Sequence, residues 1–249
     1  MLSVIIITKN ESLHIRRCLK SVSWADEIIV YDSGSEDETV SICKEFTPNV
    51  FITDWPGFGP QKQRALNKAT HDWVLSIDAD ELISESLKNE ILSAIKSSEF
   101  NGFEIPFLSF YCGKLIKHGG WKSEHHLRLF KRHHSQFTPD IVHENILVQG
   151  KVSILNNPIM HYSYTDQEEV LRKINTYSTL GAENLFRKGH KSNIVKATTK
   201  GLWMFFRNYF IKVGFLDGTE GLMLAISSAE GTFYKYLKLR DLHLKQNHD

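Results

Sequence analysis

Cysteine, net charge and long apolar runs are what this sequence has least of. Its three cysteines, Cys18, Cys43 and Cys112, are an odd number without short spacing, which argues against a disulfide framework and a zinc cluster. Cys18 and Cys43 fall on apolar positions and read as core. No stretch reaches the roughly 18 uninterrupted apolar residues of a membrane span. The N-terminus opens directly on Val4 to Ile7 with no basic region before it, unlike a secretory signal. The expected location is the cytoplasm, where the Asn10-Glu11-Ser12 sequon has no meaning. A net charge of +1 over 249 residues selects no partner. There is no internal repeat and no low-complexity segment. No Gly-x-Gly-x-x-Gly follows the first apolar run, which argues against a dinucleotide oxidoreductase.

What is present is alternation. "LSVIIIT" is a continuous β-branched run, as expected of a strand covered on both faces. A helical pattern follows through Leu13, Cys18, Leu19 and Val22. "EIIVYD" is a second strand. Ser35 with Glu38 reads as a capping box for a helix bearing Val40, Ile42, Cys43 and Phe46. "NVFITD" is a third strand, "QKQRALNKA" a short helix and "WVLSID" a fourth strand. Ser84 is placed to cap a helix with Leu87, Ile91, Ala94 and Ile95 on one face. This order predicts an α/β fold: a mixed, mostly parallel sheet with helices on both faces. Ligands of such sheets bind beyond the carboxyl ends of the strands, where Asp32, Asp54 and Asp78 stand.

Beyond residue 100 the pattern changes. "GFEIPFLSFY" and "NILVQGKVSIL" read as antiparallel strands flanking a histidine-rich basic stretch. His125, His126, His133 and His134 there have no metal-ligand spacing and read as surface. Thr165 with Glu168 reads as a second capping box, opening a long helix through Val170, Ile174, Tyr177 and Leu185. A last helix is expected over about 221 to 239. The expected division is a catalytic domain over 1–164 and a C-terminal helical, basic-aromatic extension over 165–249.

The acids of "IDADE" set the central problem. Asp78, Asp80 and Glu81 crowd within four positions after an apolar strand, and like charges that close repel. Something positive is needed among them. An Asp-x-Asp pair at a strand end suits a hard divalent cation, which bridges carboxylates to substrate phosphates. The plain alternative is a solvated turn with a helix-capping acid.

"VIIITKNE", "VYDSGSEDET", "GFGPQKQRALNKA" and "LSIDADE", in this order and spacing, resemble the inverting family-2 glycosyltransferases with the GT-A nucleotide-sugar fold. The later "GGW", "LRLFKR", "VHE" and "FRNYFIKVGFLDGTEG" resemble the subgroup of lipopolysaccharide-core β-glycosyltransferases, notably those acting on inner-core heptose. The resemblance implies transfer of a hexose, glucose in the first instance, from a UDP-sugar to a lipopolysaccharide core heptose or similar glycan, with Mg²⁺ or Mn²⁺. It implies that Thr8, Asn10 and Glu11 line the base and ribose, although Asn10 equally suits a helix N-cap. Asp32 would accept the uracil imide N–H; otherwise it is a turn residue. Lys62 and Arg64 would face the diphosphate, where cations suit a dianionic leaving group; otherwise they are solvated surface charges. Asp78 would contact the ribose and share the metal with Asp80, and His161 stands where a third ligand can sit. Glu81 reads as structural. Arg128 also faces the diphosphate in this scheme.

Inverting transfer requires a base on the acceptor side. Glu144 of "IVHEN" is the expected one, with Asp140 as rival and an ion pair with Arg128 as the alternative role for Glu144. His143 would orient the donor phosphate or the acceptor, and Trp121 would stack on a sugar ring of the acceptor, unless His143 is structural and Trp121 lies in a core. From Arg187 to Leu216 there are seven Lys or Arg and no Asp or Glu, interleaved with aromatics. That composition suits the inner-leaflet anionic membrane surface and a peripheral location. Nucleic acid is not expected, since no recognition motif accompanies the charge. The alternative is a solvated helix whose aromatics pack on the catalytic domain.

Two other functions compete. An aspartyl phosphohydrolase would need Thr or Val where Leu82 stands, and its motif nearer the N-terminus. A non-catalytic nucleotide-sugar-binding protein would keep the fold, but the retention of Asp32, Asp78, Asp80 and Glu144 argues against it.

Overall fold

A computed structural model describes residues 1–96, 99–121, 125–139 and 145–246. Asp140, His143 and Glu144 therefore lie outside the described residues. The chain runs β1 (Leu2–Thr8), α1 (Ile15–Val22), β2 (Glu27–Asp32), α2 (Thr39–Lys44), β3 (Val50–Ile52), α3 (Phe58–Lys68), β4 (Trp73–Asp78), β5 (Glu81–Leu82), α4 (Glu85–Ala94), β6 (Gly102–Tyr111), β7 (Lys114–Leu115), β8 (His125–Lys131), β9 (Ser135–Phe137), β10 (Ile146–Val148), β11 (Val152–Ile154), β12 (Ile159–Tyr164), α5 (Gln167–Arg187), α6 (Ile194–Phe206) and α7 (Gly218–Gln246). It divides into two compact units, Met1–Leu108 with Glu124–His161, and Ser109–Ser123 with Tyr162–Asp249. The segment Ser109–Ser123 clusters with the C-terminal helices.

In the first unit β3, β2, β1 and β4 are parallel neighbours, and β8 joins them antiparallel, between β4 and β6. The β-branched run of β1 is buried at every position. Its alternate side chains serve two cores. Val4 and Ile6 pack with α1, α2 and α4 through Cys18, Leu19, Cys43, Leu87 and Ile91. Ile5 and Ile7 pack on the other face with Ala65 and Leu66 of α3. Both faces are covered, as the alternation of the sequence predicted, and the four strand ends Thr8, Asp32, Ile52 and Asp78 are brought to one edge.

Several local expectations change. Leu13 is not on the buried face of α1 but exposed, because the helix begins only at Ile15. The Ser35–Glu38 capping box does not form: α2 starts after Glu38 without a side-chain cap, and the Ser35 hydroxyl instead donates to Asp32. The second box is displaced by one residue. Asp166 caps α5 by accepting from Glu169 N, while Glu169 takes hydrogen bonds from both Thr165 N and Oγ1. Of "NILVQGKVSIL", β10 is antiparallel to β9, but β11 pairs parallel with β6. Ser84 does cap α4, accepting from Leu87 N at 3.2 Å.

Glu90 of α4 ties down the turn before β12. Its carboxylate accepts from the backbone N–H and side-chain amide of both Asn156 and Asn157, at 2.7–3.0 Å. Burial pushes the Glu90 pKa up, but these four donors outweigh it and leave it below the usual carboxylate value. Replacing Glu90 with alanine is expected to cost about 1–3 kcal/mol of stability in chemical denaturation at neutral pH. Because the folded pKa is the lower one, this contribution is complete above the unfolded value of about 4.3 and fades as pH falls through the folded value. Wild type and Glu90→Ala should therefore converge in stability under acid; an undiminished gap there would remove the carboxylate from the account.

The second unit has its own core. Tyr111, Ile116, Val170 and Leu224 are buried there, with Trp121 and Tyr164 packed against them. Asp217 is buried and accepts from Lys117 N, His118 N and His118 Nδ1. The "FLDGTEG" block thus closes this unit.

Candidate functional site

The carboxylates at the end of β4 are met by protein cations. Asp78 lies between Lys62 Nζ, 3.0 Å from its Oδ1, and Arg128 Nη2, 2.9 Å from its Oδ2. The same Arg128 nitrogen is 2.6 Å from Glu81 Oε1, and Glu81 Oε2 accepts from Asp78 N at 2.9 Å. Glu81 is 1% exposed and Lys62 3%. Lys62 is therefore not a solvated surface charge. It projects from α3 beneath the strand ends because Ala65 and Leu66 anchor that helix to the sheet. Arg128 reaches the site from β8 and lies over the Phe107 ring, 5.2 Å from its centroid. Burial alone would raise the pKa of Asp78. Lys62 and Arg128 more than offset this and hold it well below the usual carboxylate range. For Glu81, burial, with Asp78 and Asp80 nearby, prevails over Arg128 and pushes the pKa up. The reading of Glu81 as structural agrees with these bonds.

Asp80 is directed elsewhere. Its Oδ2 lies 3.3 Å from His161 Nε2, a contact made possible by the antiparallel pairing of β5 with β12, His161 opposite Glu81. Burial lowers the His161 pKa, but Asp80, and then Glu81 and Asp78, leave it raised. Asp78, Asp80 and His161 were expected to share a metal. The structure does not gather them as a set of three: among the described residues no group of three His, Cys, Asp or Glu is placed to hold an ion. The Asp80–His161 pair does fit two positions of a coordination shell. Two donors about 2.1 Å from a common cation at near-right angles are about 3 Å apart. Asp80 and His161 are the residues that would hold the ion.

The ends of β1 and β2 form a second group. Thr8 is buried, and its hydroxyl has no hydrogen-bond partner among the described residues. Asn10 has a left-handed backbone, φ 55°. It is not the N-cap of α1; that position is His14. Its N–H donates to Ser35 Oγ and its Oδ1 accepts from Glu36 N, and Glu11 N donates to Thr39 Oγ1. The loop after β1 is thereby fastened to the loop after β2. Asp32 is fully buried and accepts from Gly34 N, Ser35 N and Ser35 Oγ. It shapes the turn, using three of the roughly four acceptor positions of a carboxylate. Arg64 pairs with Asp54 at 2.7 Å.

Gln61 was not anticipated. It is fully buried, and its amide donates to Ser33 Oγ and Thr53 Oγ1, while its carbonyl accepts from Arg64. It joins the turns after β2 and β3, and a polar residue in a basic helix carries no sequence signal of that. Trp121 belongs to the second unit, stacked on Tyr164 with ring centroids 5.7 Å apart, as a core tryptophan would be. His125 and His126 are exposed, and with Lys62, Arg128, Ser76 and Glu104 they line a cavity of about 540 Å³. That volume is within the range of small-molecule sites.

Acids and buried cations are gathered beyond the parallel strand ends of this α/β protein. The sequence model of Glycosyl transferase family 2 matches residues 3–146. The chain is 34% identical over 257 residues to an uncharacterized glycosyltransferase of Rickettsia prowazekii, covering 98% of this chain and 88% of that one. It is 28% identical over 252 residues to the lipopolysaccharide core biosynthesis glycosyltransferase LpsC of Rhizobium meliloti, covering 97% and 93%. Among solved structures it is similar to S. aureus TarS in complex with UDP-GlcNAc, at 13% identity and a TM-score of 0.48 over 98% of this chain and 92% of that one. The chain belongs to glycosyl transferase family 2, and its sheet is the GT-A architecture expected from the sequence.

Proposed function

We propose that this glycosyltransferase moves a hexose, glucose in the first instance, from a UDP-sugar to a heptose of a lipopolysaccharide core, with inversion. The observation that carries the reading is the Asp80–His161 pair beside an Asp78 held between Lys62 and Arg128 at the end of β4. The similarity to LpsC over nearly the whole of both chains supports the acceptor class. Thr8, Asn10, Glu11 and Asp32 take the nucleoside. Lys62, Arg64 and Arg128 take the diphosphate, and the cations that now pair with carboxylates are available to the incoming phosphates by exchange of partners. Asp80 and His161, with Asp78 nearby, would hold Mg²⁺ or Mn²⁺, which would supply positive charge to the leaving diphosphate. Glu144 removes the acceptor hydroxyl proton as that oxygen attacks the anomeric carbon from the face opposite the diphosphate. His143 contacts the acceptor. The enzyme works at the inner face of the cytoplasmic membrane, where a lipid-linked acceptor presents its sugars.

The test is transfer of labelled glucose from UDP-glucose to truncated lipopolysaccharide. Activity is expected with Mg²⁺ or Mn²⁺, and a fall of on the order of a thousandfold after chelation, restored by added cation. A Glu144→Gln variant that still binds UDP but transfers nothing supports the base assignment. Transfer undiminished by chelator would reject the cation, and transfer to no lipopolysaccharide acceptor would reject the acceptor class.

A further inference from the structure

A run of exposed apolar residues in the second unit lies on α6 and the turns that follow it. Val195, Leu202, Trp203, Phe206, Phe210 and Ile211 are between 48% and 66% exposed. Solvated helices show the opposite pattern, with apolar residues turned inward. The reason for the inversion is on the inner face. Ala197 and Gly201 are buried, and a Cβ built on Gly201 would stand 3.2 Å from Phe233 Cβ and 3.3 Å from the Ala229 carbonyl. α6 is thus seated on α7 through its small residues, so its bulky ones have nowhere to go but outward. At 100° per residue Val195, Leu202, Trp203 and Phe206 share an arc of about 100°. The aromatics continue as a ladder into the π-helical turn Arg207–Ile211, with Trp203 and Phe206 rings 6.0 Å apart and Phe206 and Phe210 5.3 Å.

Charge completes the pattern. Lys196, Lys200 and Arg207 fall on one flank of the apolar arc, and the whole segment 187–216 has seven Lys or Arg with no Asp or Glu. Among the described residues no helix is long and apolar enough to cross a membrane. We propose that the outer face of α6 and the π-helical turn is a membrane-docking surface, lying in the plane of an anionic bilayer with its aromatics at the headgroup level and its basic flank on lipid phosphates. This deepens the membrane location put forward above and rests on it only for its biological setting. A second copy of the chain is a poorer occupant, since two such basic faces would repel each other. Nucleic acid would engage the cations and aromatics but has no use for the exposed Val195, Leu202 and Ile211.

The experiment is co-sedimentation of the full chain with phosphatidylcholine vesicles, with and without phosphatidylglycerol. Binding is expected to the anionic vesicles only, and to weaken with salt as the surface charge is screened. Lys200→Gln with Arg207→Gln should weaken it by about 30-fold. Leu202→Ser with Phe206→Ser should abolish it, while circular dichroism and UDP binding stay as in wild type. The blue shift of tryptophan emission on vesicle addition should disappear in Trp203→Phe, although that variant still binds. The proposal is overturned by no binding to anionic vesicles at low salt, or by serine variants that bind like wild type. It is equally overturned by a wild-type dimer that the serine variants dissociate, or by a preference for single-stranded DNA over vesicles. Vesicle binding by a protein that transfers no sugar would leave the surface standing and remove the catalytic reading alone.

Discussion

Arg128→Ala is expected to destabilise the protein by about 3–5 kcal/mol in denaturant titration. The guanidinium sits against two carboxylates, at 2.9 Å from Asp78 and 2.6 Å from Glu81, and its side chain is 14% exposed. Removing it leaves Glu81, 1% exposed, as a buried acid without that counter-charge. The cost of such a change lies mainly in the stranded partner rather than in the lost attraction. Glu81→Gln added to Arg128→Ala should therefore recover a good part of the loss, because the amide carries no charge to strand. A lone Arg128→Ala effect below about 1 kcal/mol, or a double variant no better than the single, would show that Glu81 is neutralised by other means.

The second large effect concerns chemistry. Asp80→Asn is expected to lower kcat for sugar transfer by on the order of a thousandfold, since the charge placed on the diphosphate is worth several kcal/mol in the transition state. Asparagine keeps the shape of aspartate and loses only its charge, so folding should be preserved. If Asp80 acts by holding the cation, the losses from the variant and from chelator will not multiply, because each removes the same interaction. His161→Ala should raise the cation concentration needed for half-maximal activity. An Asp80→Asn enzyme within tenfold of wild type, or one whose loss multiplies with that of chelator, would take the carboxylate out of the metal site.

These two expectations stand on different parts of the "IDADE" problem. The sequence demanded positive charge for three crowded acids. The structure divides the demand: Lys62 and Arg128 serve Asp78 and Glu81, and His161 faces Asp80. A divalent cation is therefore required less for neutralising Asp78 than the crowding alone implied. Asp80 is the acid that faces the imidazole of His161.

Much of the architecture was legible because it rests on short-range pattern. β1 is buried at every position, and a seven-residue run without charge, five of its residues β-branched, can be little else. Cys18, Leu19, Leu87 and Ile91 are buried as helical spacing required, and Ser84 caps α4 because capping reaches only three residues ahead. The strand-end position of Asp32 and Asp78 followed from the same alternation. What sequence could not supply were relations across long separations. Lys62 and Arg128 look like any surface cations in "QKQRALNKA" and "HLRLFKR"; they converge on Asp78 only once α3 crosses one face of the sheet and β8 pairs beside β4. Ser35 was free by local rules to cap a helix, and a buried Asp32 claimed its hydroxyl instead. The outward-turned aromatics of α6 depend on Gly201 meeting Phe233, 32 positions away. Periodicity and capping are properties of neighbouring residues and survive in one dimension. The charge environment of an acid and the exposed side of a helix are set by whatever packs against them, and for this chain that was decided by the tertiary structure.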